Sequence, residues 1–190
     1  MNKPFAMILM ATNLVTPGFA QSTILWNETV NGPFANYYLN STFLGELSQG
    51  TNTIIGATEI EPLGANFLIQ EDYFNFRVPA KSSLAGIYLQ IDKPNVWTWL
   101  GDTNYGAAMI FDQNSGSGDL MSRAGITALG TGGYAMYMAC HDHQAAVAVA
   151  NYRLDFVVIP EPAAWSVLCL SGVALFLKRQ PCAQGNRQEQ

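Results

Sequence analysis

Cys140-His141-Asp142-His143 is the densest run of metal-ligating side chains in the chain. In an extended segment with Cys140 facing in, His141 and His143 share the opposite face, as an H-x-H metal pair requires. A zinc site takes three or four ligands. These are the only histidines in the chain, so a carboxylate would have to complete the set. The expectation is an exposed polar segment and no metal. Asp112-Gln113-Asn114-Ser115-Gly116-Ser117-Gly118-Asp119 offers the oxygen ligands that calcium uses. It fails the EF-hand template, with Ser117 where glycine is needed and Arg123 where glutamate is needed. A solvated Gly/Ser turn is expected there. Glu59 with Glu61, or Glu71 with Asp72, are carboxylate pairs of the kind a glycosidase uses. No Gly-x-Ser-x-Gly elbow accompanies them, and no frame for a nucleophilic triad is apparent. Neither an enzyme nor a cofactor is expected. Trp97 and Trp99 stand two apart, on one face of an extended segment, with Tyr105 nearby. Flat aromatic faces of this kind stack on the apolar faces of sugars, or pack beneath a loop.

The elements that must position these residues are strands. In Asp72-Tyr73-Phe74-Asn75-Phe76-Arg77-Val78, Phe74, Phe76 and Val78 share one face, and Asn75 and Arg77 the other. Such period-2 alternation marks a half-buried strand, and Pro79 ends it. Ile87, Leu89 and Ile91 repeat the pattern after a Lys81-Ser82-Ser83 turn. So do Tyr134, Met136 and Met138, and then Tyr152, Leu154, Phe156 and Val158 with Arg153 and Asp155 outward. Weaker candidates are 24–30, 43–47, 53–58, 96–100 and 107–111. Ala145 to Ala150 suits a strand or a short helix. About nine short strands separated by Gly, Asn, Ser and Pro clusters predict an all-β sandwich of jelly-roll type.

Composition agrees. Charged residues are 12% of the 190, about half the usual quarter, which excludes a disordered polyampholyte and a long coiled coil. Residues 21–158 hold 12 acidic and 5 basic side chains, a net charge near −7. A nucleic-acid binder needs a basic face, so that class is excluded. Three cysteines are too few for a disulfide scaffold.

The two ends carry addresses. Lys3, the apolar run from Phe5 to Val15, the breaker Pro17-Gly18 and small residues before the cut read as a signal peptide over 1–20. Signal peptidase would cut between Ala20 and Gln21. At the other end, Pro160-Glu161-Pro162 precedes an uncharged run, Ala163 to Leu177, closed by Lys178-Arg179. From Pro162 the run is 16 residues, roughly 24 Å as a helix, short against a core of about 30 Å. Snorkelling of Lys178 and Arg179 can absorb the gap. The basic residues all follow the run, so the body lies outside and 180–190 is a cytoplasmic tail.

This tail resembles the PEP-CTERM sorting signal of Gram-negative bacteria, over the 21 residues 159–179. The resemblance rests on Pro160-Glu161-Pro162, on the apolar helix with Trp165 near its start, and on Lys178-Arg179. It implies recognition by an exosortase in a bacterium that makes exopolysaccharide. Members usually end within a few residues of the basic pair, whereas here Gln180 to Gln190 follows. The body, 21–158, carries a looser resemblance to the bacterial pre-peptidase C-terminal domain. It rests on Leu44-Gly45-Glu46-Leu47, Gly50-Thr51-Asn52-Thr53-Ile54, the segment Asp72 to Ala80, Gly133-Tyr134, and Tyr152 to Phe156. It implies an accessory jelly-roll domain. Together these lead to an expectation: an exported protein of the envelope or exopolysaccharide matrix, sorted by an exosortase, structural or adhesive in role. The alternative is a carbohydrate-binding module using Trp97 and Trp99 with Tyr105.

Overall fold

The computed structural model describes residues 22–63, 66–93, 96–140 and 148–161. The segment expected to be a signal peptide with a cut between Ala20 and Gln21, the histidines 141 and 143, and everything from Pro162 onward lie outside the described residues, Lys178 and Arg179 included. No helix among the described residues is long and apolar enough to cross a membrane. Contacts divide the chain after Ile159. Of the second unit, Pro160 and Glu161 are described, both exposed.

The body is all-β. Ten strands run β1 (Ser22–Asn27), β2 (Thr42–Glu46), β3 (Gly50–Leu63), β4 (Asn66–Val78), β5 (Ser82–Ile91), β6 (Val96–Asp102), β7 (Ala108–Ser115), β8 (Gly118–Asp119), β9 (Gly132–Cys140) and β10 (Ala148–Pro160). Two one-turn helices, α1 (Glu28–Asn31) and α2 (Leu120–Arg123), and a 3-10 turn at Tyr38–Asn40 interrupt them. The strand order is β7-β6-β9-β4-β3-β10-β5-β8, with β1 added to β3 and β2 to β4. The described registers are antiparallel except at β1–β3 and β2–β4, which are parallel.

The long strands curl this sheet. Near its tip β3 pairs with β4, from Glu59↔Gln70 to Leu63↔Asn66. Away from the tip the two part. β3 takes β1 at 51–55, and β4 takes β2 at 74–77. The sheet thereby folds over on itself, and its two halves share one core. Phe76 of β4 meets Phe156 of β10 with centroids 4.9 Å apart, and Phe34 wedges against Phe74 at 5.1 Å and Trp26 at 5.3 Å.

The four strong alternation patterns hold, with Ile87 and Leu89 buried and Ile91 half-buried in one of them. Phe74, Phe76 and Val78 are buried and Arg77 is exposed. Tyr134, Met136 and Met138 are buried, as are Tyr152, Leu154, Phe156 and Val158, with Arg153 exposed. Several boundaries differ. The strand expected over 24–30 stops at Asn27, because Asn27 accepts a hydrogen bond from Thr29 N and caps α1. The turn expected over 112–119 shortens to Gly116 and Ser117. Ser115 faces inward within β7, and its hydroxyl is satisfied by that of Thr98 at 2.6 Å. Asp119 then caps α2, accepting from Met121 N and Ser122 N. Ala148–Ala150, left open between strand and helix, belongs to β10.

Candidate functional site

The outer face of β6 is set by alternation. Val96, Thr98 and Leu100 are fully buried, so Trp97 and Trp99 point the other way. Register then assembles an aromatic row across four strands. Phe111 of β7 lies opposite Trp99 of β6, Trp99 opposite Tyr137 of β9, and Tyr137 opposite Tyr73 of β4. Residues directly opposite in a sheet stand on one face with side chains in reach.

Two loops complete the row into a recess. Asp102 Oδ1 accepts from Asn104 N at 3.0 Å and Gly106 N at 3.2 Å, and Tyr105 N donates to Asp102 O at 3.1 Å. This turn holds Tyr105 at φ 52°, a left-handed conformation uncommon outside glycine. The Tyr105 ring stacks on Trp99, centroids 5.2 Å apart and planes at 19°. Gly101 makes room for this pair, since a Cβ there would strike the Trp99 ring. On the other side, the bond from Tyr73 N to Ala35 O, 2.8 Å, ties the 33–40 segment to β4 and brings up Tyr38. The resulting recess, about 220 Å³, is lined by Tyr38, Tyr73, Trp99, Tyr105 and Tyr137.

Its polar chemistry is that of phenols and one carboxylate. The Tyr73 hydroxyl donates a short hydrogen bond to Glu71 Oε2. Burial and then this bond raise the Tyr73 pKa well above the ordinary phenol range. Burial raises Tyr105 and Tyr137 as well, Tyr137 with a further contribution from the Glu71 charge. All three rings stay neutral at physiological pH.

Of the residues singled out from sequence, Trp99 and Tyr105 meet here. Trp97 shares their face but packs against Phe111, centroids 6.0 Å apart at 86°. Trp99 is 8% exposed, with Tyr105 stacked on it and Tyr137 at 6.4 Å and 23°. Sequence reasoning missed Tyr38, Tyr73 and Tyr137. The outward register of Tyr73 within 72–78 was a usable signal. Nothing in the sequence pairs it with Tyr137.

A second cluster lies where β3 and β4 part. Asp72, on the opposite face of β4 from Glu71, is 5% exposed. The Tyr152 hydroxyl donates to its Oδ2 at 2.8 Å. Glu28 reaches in from α1 and accepts from Phe34 N at 2.8 Å and Ala57 N at 2.6 Å. A side chain on Gly56 would collide with Tyr152 and Glu28, so glycine is required there. Burial, and then the charge of Glu28, push Asp72 up to about 8, against the opposing hydrogen bond from Tyr152. A cavity of about 580 Å³ opens beside Glu28, Phe34, Ala57, Glu71 and Asp72. The pair Glu71 and Asp72 is thus split between two faces. Glu59 and Glu61 share one face, and burial and then Glu61 raise the Glu59 pKa.

The acidic 112–119 segment is engaged internally: Asp112 pairs with Arg123 at 3.3 Å, and Arg123 also donates to Gly116 O at 3.0 Å. Cys140 is a free, buried thiol. Among the described residues no group of three or more His, Cys, Asp or Glu is placed to hold a metal ion.

Fold and recess define a curled all-β domain with an aromatic site on its outer face. Among solved structures, the chain is similar to the pre-peptidase C-terminal domain of a collagenase from Bacillus anthracis. The two are 16% identical with a TM-score of 0.37, over 62% of this chain and 93% of that one. It is also similar to a periplasmic inhibitor of g-type lysozyme from Salmonella Typhimurium, at 10% identity and a TM-score of 0.34, over 61% of this chain and 98% of that one. No family model matches the sequence. No curated protein matches it either.

Proposed function

We propose that this chain is an exported protein of the cell envelope or exopolysaccharide matrix, delivered by an exosortase, with a structural or adhesive role. We also read its curled sheet as a jelly-roll variant. The observation that carries the reading is the order of residues at the C-terminal end. Pro160-Glu161-Pro162 comes first, then the uncharged run Ala163 to Leu177, then Lys178-Arg179. A plain anchor is better served by about 20 apolar residues, and the tripeptide adds nothing to insertion. Two prolines remove two amide donors and fix φ, which keeps the segment extended and open to a processing enzyme. Glu161 adds a charge that stays outside.

The test is expression of the full chain in a host with an exosortase, with mass spectrometry of both termini. The wild type is expected to begin at Gln21, to lose its apolar run and to leave the membrane. Glu161→Ala is expected to insert normally and remain full length in the membrane fraction. Should both proteins stay full length and membrane-bound, the tail is an ordinary anchor and the sorting reading fails.

A second reading is a carbohydrate-binding module on the outer face through Trp97, Trp99 and Tyr105. What favours it is the Trp97–Phe111 pair beside the recess, with Phe111 52% exposed. Trp97→Ala abolishing retention on an exopolysaccharide column would support it, and unchanged retention would remove it.

A further inference from the structure

Three rings that line the outer recess stand at steep angles to one another. Tyr38 and Tyr105 have centroids 6.0 Å apart at 66°, Tyr73 and Tyr105 5.6 Å apart at 72°, and Tyr38 and Tyr73 6.5 Å apart at 59°. A cation held about 4.5 Å from the faces of two perpendicular rings, within cation–π reach, puts their centroids roughly 6.4 Å apart. The observed spacings lie near that value for all three pairs, within the roughly 4.5–7 Å of packed edge-to-face rings, and the recess of about 220 Å³ among them is the room for an occupant. Trp99, stacked on Tyr105, and Tyr137 complete the lining.

The lining decides between ligand classes. Among the described residues it holds four tyrosines and a tryptophan, with no aliphatic and no basic side chain. The nearest cation along β4, Arg77, is four residues from Tyr73, on the order of 13 Å along a strand. Glu71 Oε2 accepts a hydrogen bond from the Tyr73 hydroxyl, which places a carboxylate at the hydroxyl end of that ring and makes the local potential more negative. The body as a whole is acidic, with 12 acidic and 5 basic residues over 21–158. All of this favours a positive charge. A primary ammonium would need several hydrogen-bond acceptors to replace its water, whereas ring faces offer none, so a methylated nitrogen fits better. Size points the same way. About 220 Å³ is below the roughly 300–1,000 Å³ of pockets for drug-sized ligands, room for one small headgroup. A sugar platform needs an open flat face, and the Trp99 face is covered by Tyr105.

We propose that Tyr38, Tyr73 and Tyr105, with Trp99 and Tyr137 completing the lining, form an aromatic cage that binds a quaternary ammonium group of the choline type. The cage is independent of how the protein is sorted, so its test leaves the sorting reading untouched.

The test compares two ligands of the same shape and different charge. The full chain, in a non-ionic detergent free of quaternary ammonium groups, is titrated with choline and with its neutral carbon analogue 3,3-dimethylbutan-1-ol. Tryptophan fluorescence or calorimetry gives the binding. Choline is expected to bind at least 10-fold more tightly than the analogue. Tyr38→Ala, at a site 41% exposed in a 3-10 turn and so compatible with an intact fold, is expected to weaken choline at least 5-fold. Tyr38→Phe, which keeps the ring, should stay within 2-fold of wild type. Equal binding of both ligands would mean a merely apolar pocket and overturn the cage. So would no choline binding up to 50-fold above the concentration that saturates a known choline site, or recess quenching by neutral monosaccharides with none by choline.

Discussion

Phe76→Ala is expected to lower unfolding free energy by about 3–5 kcal/mol, the usual cost of emptying a large buried aromatic site. The ring is 1% exposed. It touches both halves of the curled sheet, stacking with Tyr134 at 5.9 Å and meeting Phe156 edge-on at 4.9 Å. Few small groups stand ready to fill the void, since its neighbours belong to strands fixed by their ladders. The adjacent Arg77 is exposed on the opposite face. Its backbone carbonyl accepts from Leu47 N at 2.9 Å, a bond that survives truncation of the side chain. Arg77→Ala should therefore cost about 0.5 kcal/mol or less. Urea denaturation of the two variants against wild type checks both values. Equal losses would mean that β4 is in the wrong register.

The second large effect is a matter of pH. Asp72→Asn is expected to become progressively more stable than wild type as pH rises, the gap widening by about 2–4 kcal/mol between pH 5 and pH 9. The sign follows from the direction of the shift. Burial, and then Glu28, raise the folded pKa to about 8, whereas an unfolded aspartate titrates near 3.9. Between those values the folded state holds a proton that the unfolded chain has released, so wild-type stability falls as pH rises through that window. Above about pH 8 both states are ionised and the gap levels off. Asparagine never ionises, yet its side-chain oxygen still accepts from the Tyr152 hydroxyl. Groups distant from Asp72 titrate alike in the two proteins and cancel, so the difference between paired denaturation curves reports Asp72 together with the neighbours that feel its charge. A gap that stays constant from pH 5 to pH 9 would show that Asp72 ionises as an exposed carboxylate does.

Local chemistry was enough for part of this fold. The alternation at Phe74, Phe76 and Val78, and at Tyr152, Leu154, Phe156 and Val158, named the buried faces, because a period of 2 leaves a strand no other way to bury three apolar residues in a row of polar ones. The same rule put Trp97 and Trp99 on one face. The all-β class followed from many such segments between turn residues. Where local rules failed, a contact distant in sequence had intervened. Ser115 reads as turn until Thr98 supplies an inward partner for its hydroxyl. The length of β3 and β4 was hidden because Glu59 and Glu61 leave Ile60 as the single buried apolar residue between them, too short an alternation to mark a strand.

The sites show the same division. Alternation already puts Asp72 on the face of Phe74 and Phe76, but its partner, the Tyr152 hydroxyl 80 residues on, is supplied only where β4 and β10 meet. Tyr73, Trp99 and Tyr137 lie on three strands that sequence order does not place side by side, since β9 comes to lie between β4 and β6. The sequence by itself determined which side chains face outward, because that depends on neighbours two residues away. Which outward rings converge was decided by strand order and register alone, through backbone hydrogen bonds that are the same for every residue type and leave no mark in composition.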